Sequence, residues 1–428
     1  VLAKIETISD PESGLTTPFL SICVPSRNRQ RYFKQLIDAL LASPRADVEF
    51  VLADNSDEPE IMDAFMASRS DARIRYLPSA ERTLSMQENW ERTLDATRGD
   101  WVSVIGDDDQ IDPDLIDALK LAIALKPGLE AFAWSNLRYG WIIGEQRPAN
   151  VRVPLAANFH DMPPWFIQRR AFGWADAGAS ITSGFSVYHS ALSRPLLLRI
   201  KARFGGTWFG HPIVDYDSAL KAAAEGRAFV YCTRPFSTFG ACPESNSSAL
   251  YDLGQLRQAH ARFDRETGRE TDRDPWLANF PFPTTLGLPS AVGQVQMWLA
   301  HSHGVEMLAG WEQNFVGALM KNCASFQNRD DFDFLATELR RILAVWKDGA
   351  HLAQFAPVYQ QALAGEIFTG RNSDALYIAD NIGGAHSPSA FYDVINGLLE
   401  RPSEMRPELR SAGKEFELLN RLETKPAA

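Results

Sequence analysis

From Phe19 to about Tyr231 strand-like and helix-like stretches alternate, and this alternation constrains the fold more than any other feature of the chain. "FLSICVP" (19–25) reads as a buried strand, and the following segment, 30–43, carries Phe33, Leu36, Ile37, Leu40 and Leu41 at helical spacing. "VEFVLADNS" (48–56) and "ARIRYL" (72–77) are two more strands. A helix then opens with Ser85-Met86-Gln87-Glu88, the spacing of a capping box. "DWVSVIG" (100–106) is a fourth strand, and Asp112-Pro113 predicts an N-cap with proline at the first helical position. Strands alternating with helices predict a mostly parallel, Rossmann-like α/β sheet, with the ligand crevice at the carboxyl ends of its strands.

Three loops fall at those ends: "PSRNR", "DNSDE" and "GDDDQ". Asp107, Asp108 and Asp109 repel one another and do nothing for a core. Clustered carboxylates at a strand end suit a hard divalent cation such as Mg2+ or Mn2+, or else a solvated loop that caps the next helix. Asp54 could accept a hydrogen bond from a base or a ribose, or close an Asx turn. Arg27 and Arg29 stand at the start of a helix, where amide groups already favour anions. Farther on, "HPIVDYDSALKAAAEG" places Asp215 and Asp217 in one first turn. They point about 200° apart, so only one can face a cleft. That one could be a general base, and N-capping is the alternative role for either.

The bulk properties narrow the partners. At 428 residues two domains are expected, and the net charge of −11 argues against nucleic acid. Four separated cysteines form no disulfide framework or zinc motif and suit a reducing cytoplasm. No apolar run reaches the roughly 18 residues of a membrane span, which leaves peripheral contact open. Five tryptophans (Trp134, Trp141, Trp165, Trp174, Trp208) fall between the aspartate triplet and the Asp215 helix, where aromatic faces could stack on a sugar. After about residue 250 the rhythm becomes helical, with Leu335, Leu339, Ile342, Leu343 and Trp346 on one stripe closed by Gly349. The expected division is a tail at 1–17, an α/β domain at 18–250 and a mainly α-helical accessory domain at 251–428.

The order "FLSICVPSRNR", "VLADNSDE", "GDWVSVIGDDDQIDP", "VDYDSAL" resembles the family-2 inverting glycosyltransferases of the GT-A fold over about residues 18–250. The resemblance implies a nucleotide-sugar donor site at Pro25, Ser26, Arg27, Arg29, Asp54, Asp107 and Asp108, with a UDP-sugar favoured. It implies Mn2+ or Mg2+ on Asp108 and Asp109. Gly106 stands where the family's first metal-motif aspartate falls, which makes Asp108 the leading ligand. It implies Asp215 as the catalytic base, although Val214 replaces the usual preceding glutamate. Trp174, Trp208, Ser245 and Asn246 are the expected acceptor residues. The acceptor would be a glycan or lipid-linked hydroxyl in surface polysaccharide or glycoconjugate synthesis. The enzyme would then be cytoplasmic, with peripheral membrane contact through the C-terminal region. Two other readings compete: a sugar nucleotidyltransferase, disfavoured by the glycine-free "PSRNRQ", and a non-catalytic binding scaffold with a degenerate site.

Overall fold

The computed structural model describes residues 17–141, 150–178, 181, 184–245, 252–268, 271–360, 369–406 and 408–411. The first part alternates as expected: β1 (Leu20–Ser26), α1 (Gln30–Leu41), β2 (Val48–Asp54), α2 (Glu60–Ala67), β3 (Ile74–Leu77), α3 (Met86–Asp95), β4 (Trp101–Val104), the short β5 (Gln110–Ile111) and α4 (Leu115–Leu125). Every residue of β1, β2 and β4 is buried, as strands covered on both faces must be. Helix α1 buries Phe33, Leu36, Ile37 and Leu40 against Ile22, Val24, Phe50 and Leu52. Each such side chain contributes about 1.5–3 kcal/mol. Ser85 caps α3 as its sequence implies: its hydroxyl accepts from the Glu88 amide, and the Glu88 carboxylate accepts from the Ser85 amide.

One local expectation is corrected. Asp112 does not cap α4, because the helix begins only at Leu115. The Asp112 carboxylate instead accepts from the Asp114 amide and holds the turn between the aspartate triplet and the helix.

The chain continues through β6 (Ala131–Gly140), β7 (Asn150–Pro154), β8 (Phe159–Met162), α5 (Pro164–Gly173), β9 (Ser190–Ser193), α6 (Arg194–Arg203), α7 (Val214–Glu225) and the long β10 (Phe229–Ala241). Strands β3, β2, β1 and β4 are parallel neighbours in that order, with Ser26 opposite Asp54. Beyond them β9 runs antiparallel between β4 and β6, and β10 pairs in parallel with β6. The result is a mostly parallel mixed sheet.

The remainder holds α8 (Leu253–Thr267), α9 (Leu288–His303), α10 (Trp311–Ala324), α11 (Arg329–Leu343), β11 (Gly370–Arg371), β12 (Ala375–Ala379), α12 (Pro388–Asn396) and β13 (Leu409–Ser411). It is mainly helical, and it shares its core with the sheet. One continuous apolar cluster runs from Val102, Val104 and Phe229 through Val214 and Leu220 on α7 to Trp298, Phe315, Leu339 and Trp346. Strand β12 pairs with β7, and β13 extends the large sheet beside β8. No helix among the described residues is long and apolar enough to cross a membrane.

Candidate functional site

The carboxyl ends of β1, β2 and β4 bring Ser26, Asp54 and the aspartate loop to one edge of the sheet, the place where open α/β sheets bind ligands. Pro25 and Ser26 are the last residues of β1. The Ser26 hydroxyl donates to Asp107 Oδ2 at 2.6 Å, and the Ser26 carbonyl accepts from the Asn55 amide at 3.0 Å, which ties the first two loops together. Asp54 is fully buried and accepts from Ser56 Oγ at 2.6 Å and Ser79 Oγ at 2.9 Å. It therefore closes the turn at this strand end, and the turn lies beside the crevice.

Of the two arginines, Arg29 faces the aspartates. Its guanidinium grips Asp107 as a fork, Nη2 to Oδ1 at 2.8 Å and Nε to Oδ2 at 3.2 Å, and reaches Asp108 Oδ1 at 3.3 Å. Arg27 points elsewhere and pairs with Glu266 of α8 at 3.0 Å. The acidic triplet is therefore neither solvated nor uncompensated: all three aspartates are buried, each with its own partners.

Those partners differ in a way that sorts the three carboxylates. Asp109 accepts from the Gly106 amide at 2.7 Å and from the Gly240 amide, Tyr188 Oη and His189 Nε2 at 2.8 Å each. Burial pushes its carboxyl up, but the His189 ring and these donors more than offset that and hold it below the ordinary range. With both oxygens committed, Asp109 is a structural anchor. Asp109 is among the expected metal ligands, and its four donors make it the least available of the three for that role. Asp107 and Asp108 are both raised, first by burial; Arg29 works against this shift, and neighbouring aspartate charge adds to it. Asp108 is the most loosely held, with contacts of 3.3 Å to Arg29 and 3.2 Å from the Cys242 amide.

Two glycines make this packing feasible. A Cβ on Gly106 would lie 2.8 Å from Asp109 Oδ2 and 3.0 Å from Asp108 Oδ1, so the carboxylates fold back over it. A Cβ on Gly240 would fall 1.7 Å from the Asp108 carbonyl oxygen, so no other residue permits β10 to pass so close.

A magnesium or manganese ion in a nucleotide site usually takes one or two carboxylates and completes its shell with substrate phosphates and water. Asp108 together with Asp107 fits that lean set. Among the described residues no three histidine, cysteine or carboxylate side chains form a full protein cage. Room for an ion beside Asp108 requires Arg29 to move.

The two acids of the distant helix separate cleanly. Asp217 is fully buried, pairs with Lys221 Nζ at 2.8 Å and accepts from the Gly210 amide at 2.7 Å. Asp215, on the first turn of α7, is only part-buried. Burial pushes its carboxyl up to about 6, against the pull of the Tyr216 amide and its own. The Tyr188 phenol is raised well above its ordinary value by burial and then by the charges of Asp109, Asp108 and Asp215. Tyr188 thus donates to Asp109 of the aspartate loop and also feels the charge of Asp215.

The expectation for Trp174 and Trp208 is corrected. Trp174 is 2% exposed, donates its indole N–H to Gln296 Oε1 at 2.9 Å and packs on Phe315 with ring centroids 5.1 Å apart. Trp208 is also buried and donates to Asp95 Oδ1 at 2.7 Å. Trp174 belongs to the joint of α5 with α9 and α10, Trp208 to that of α3 with α7, and both are spent inside the protein. The Ser245 amide donates to the Cys242 carbonyl at 2.9 Å, so Ser245 closes the turn whose Cys242 amide holds Asp108. Asn246 lies outside the described residues.

Sequence reasoning missed Tyr188, His189 and Gly240. The signal for Gly240 was a glycine inside the strand pattern "FSTFGAC", a mark of close backbone approach. His189 takes a left-handed φ of 53°, and the residues around it announce nothing of its role.

A more remote support comes from α12. The Tyr392 hydroxyl donates to Asp112 Oδ2 at 2.9 Å and lies 3.3 Å from the fully buried Arg234. Removing it in Tyr392→Phe is expected to cost about 1–2 kcal/mol in denaturant unfolding, because two buried polar groups lose a partner. An unchanged unfolding midpoint would show that the hydroxyl holds nothing.

Residues 21–159 match the model of glycosyl transferase family 2, about a third of the chain. No curated protein matches by sequence. Solved structures similar to this one include Staphylococcus aureus (S. aureus) TarS 1-349 in complex with UDP-GlcNAc, at 12% identity and a TM-score of 0.42, covering 78% of this chain and 89% of that one. Mannosyltransferase PcManGT from Pyrobaculum calidifontis, in complex with GDP-Man and Mn2+, is similar at 18% identity and a TM-score of 0.35, covering 82% and 87%. The part of the chain that matches this family, residues 21–159, holds the aspartate loop and the ends of β1, β2 and β4.

Proposed function

We propose that the protein is an inverting, metal-dependent glycosyltransferase that moves a sugar from a nucleoside-diphosphate donor to an acceptor hydroxyl. The observation that carries this reading is the pairing of two unlike acids around Tyr188. Asp108 is a loosely held, buried carboxylate beside an arginine, and Asp215 is a part-buried carboxylate tuned to about 6. A general base needs a pKa near the working pH, and Asp215 meets that requirement without a partner that would quench it.

In this reading the ends of β1, β2 and β4 receive the nucleoside diphosphate. Asp54 and its turn lie towards the nucleoside, and Arg29 and the aspartates towards the diphosphate. Asp107 and Asp108 would hold the divalent cation, which when bound supplies positive charge to the departing diphosphate. Asp215 takes the proton of the acceptor hydroxyl as its oxygen attacks the anomeric carbon. The bond from that carbon to the diphosphate oxygen breaks with its electron pair staying on the diphosphate. Attack opposite the leaving group inverts the anomeric centre. A UDP-sugar is the favoured donor, and a glycan or lipid-linked alcohol the favoured acceptor.

The test is calorimetric titration of UDP, GDP, CDP and dTDP, with and without Mn2+, on the parent and on Asp108→Ala. One diphosphate is expected to bind the parent at least about 10-fold more tightly with the metal, a gain that Asp108→Ala should lose. No binding of any diphosphate in either condition would leave the aspartates as a purely structural cluster.

A further inference from the structure

Resting on the donor-site reading above, we propose that Arg29 is a built-in placeholder for the cation: it neutralises Asp107 and Asp108 in the free protein and yields Asp108 to a divalent ion only when a nucleoside diphosphate arrives to take the guanidinium. Four observations carry this. The guanidinium sits on the two carboxylates that would ligate the ion, at 2.8 and 3.2 Å from Asp107 and 3.3 Å from Asp108. Its side chain is 22% exposed, so it is not locked in the core. Its third neighbour, Cys242 Sγ at 3.6 Å, is a weak partner that costs little to leave. And the weaker half of the grip falls on Asp108, at 3.3 Å, where the Cys242 amide at 3.2 Å is another donor to the carboxylate.

The physical consequence is a coupling between two ligands. A divalent ion and a guanidinium repel each other when both crowd the same carboxylates, so the ion alone competes with Arg29. A diphosphate offers the guanidinium a second anionic fork of the same geometry. When Arg29 turns to it, Asp108 is freed, and Asp107 and Asp108 would hold an ion whose charge favours the diphosphate. Each ligand therefore tightens the other, and by linkage the two factors must be equal. The device would keep the site from holding metal without donor.

The experiment follows free Mn2+ by its electron paramagnetic resonance signal during titration of the full chain, with and without UDP or GDP, in the parent and in Arg29→Gln. The parent is expected to bind Mn2+ weakly alone and at least about 10-fold more tightly with the diphosphate. Arg29→Gln is expected to bind Mn2+ alone about 10-fold more tightly than the parent, with the gain from diphosphate correspondingly smaller. Because that variant strips the compensating charge from buried aspartates, Arg29→Lys, which keeps a positive charge but cannot make the two-pronged grip, is measured beside it and should also bind Mn2+ alone more tightly than the parent. If the parent binds diphosphate with Mn2+ while both variants bind Mn2+ alone no better than the parent, the placeholder idea falls and the donor site stands. If the parent binds no diphosphate at all, the donor site falls, and the placeholder with it.

Discussion

Asp215→Asn is expected to lower the rate of sugar transfer by about 10²–10⁴-fold, the range for losing a positioned general base, while nucleoside-diphosphate binding stays within about 2-fold of the parent. The amide keeps the shape of the carboxylate and cannot accept the acceptor's proton. The pH profile gives an independent readout. A base works only when deprotonated, so the parent's kcat/KM should rise with pH and level off above about 6, where burial has placed the Asp215 carboxyl. That limb should vanish in the variant. Stability should move the opposite way. The folded protein binds the Asp215 proton more tightly than the unfolded chain does, so the charged carboxylate costs stability as pH rises from the ordinary carboxylate range through about 6. Asp215→Asn should thus be more stable than the parent at pH 8, by about 1 kcal/mol in denaturant unfolding, and no more stable near pH 4. A transfer rate within about 3-fold of the parent would remove Asp215 from the chemistry.

That residue shows how far the sequence can sort two neighbouring acids. The turn geometry said that only one of Asp215 and Asp217 could face a cleft, and the means of choosing was already present: Lys221 lies four residues after Asp217, the spacing of a helical ion pair. The strand ends were legible for a similar reason. A βα alternation fixes which loops share an edge, so Ser26, Asp54 and Asp107 could be grouped before any coordinates. Arg29 was legible as a helix-start cation, but its partners were not, because a fork onto Asp107 is a property of two loops meeting across 78 residues. His189 and Tyr188 lay beyond reach altogether. They act from the loop before an antiparallel strand of four residues inserted between two parallel neighbours, a topology that no local pattern announces. The tryptophans misled for a physical reason. Composition shows a cluster of large aromatic faces but not which way they point, and here Trp174 and Trp208 spend their N–H groups on Gln296 and Asp95 inside the protein. The short strands β11, β12 and β13 were missed because two to five residues carry too little periodicity to read.

The buried pair beneath Asp215 is expected to dominate the stability of this half of the molecule. Asp217 and Lys221 are both fully buried, 2.8 Å apart, with the ammonium also donating to the Trp208 carbonyl and lying 5.3 Å from the centre of the Trp298 ring. Lys221→Met keeps the volume but strands the carboxylate, and should cost about 3–5 kcal/mol. The deficit should depend on pH with a definite sign. Burial already raises the Asp217 carboxyl even with its partner present. Without the lysine the folded state favours the neutral acid still more, so the loss should be largest at pH 8 and shrink towards pH 5 as the acid takes up a proton. Adding Asp217→Asn should recover most of the stability, and the choice of asparagine matters. Its carbonyl can still accept from the Gly210 amide, which Asp217 holds at 2.7 Å, whereas a leucine would leave that amide unpaired. The same double variant should retain transfer activity, since the loop leading into α7 keeps its anchor and Asp215 is untouched. Chemical denaturation of the two variants at pH 5 and pH 8 checks the argument. A Lys221→Met deficit that is small, or equal at both pH values, would mean that the pair contributes packing rather than charge.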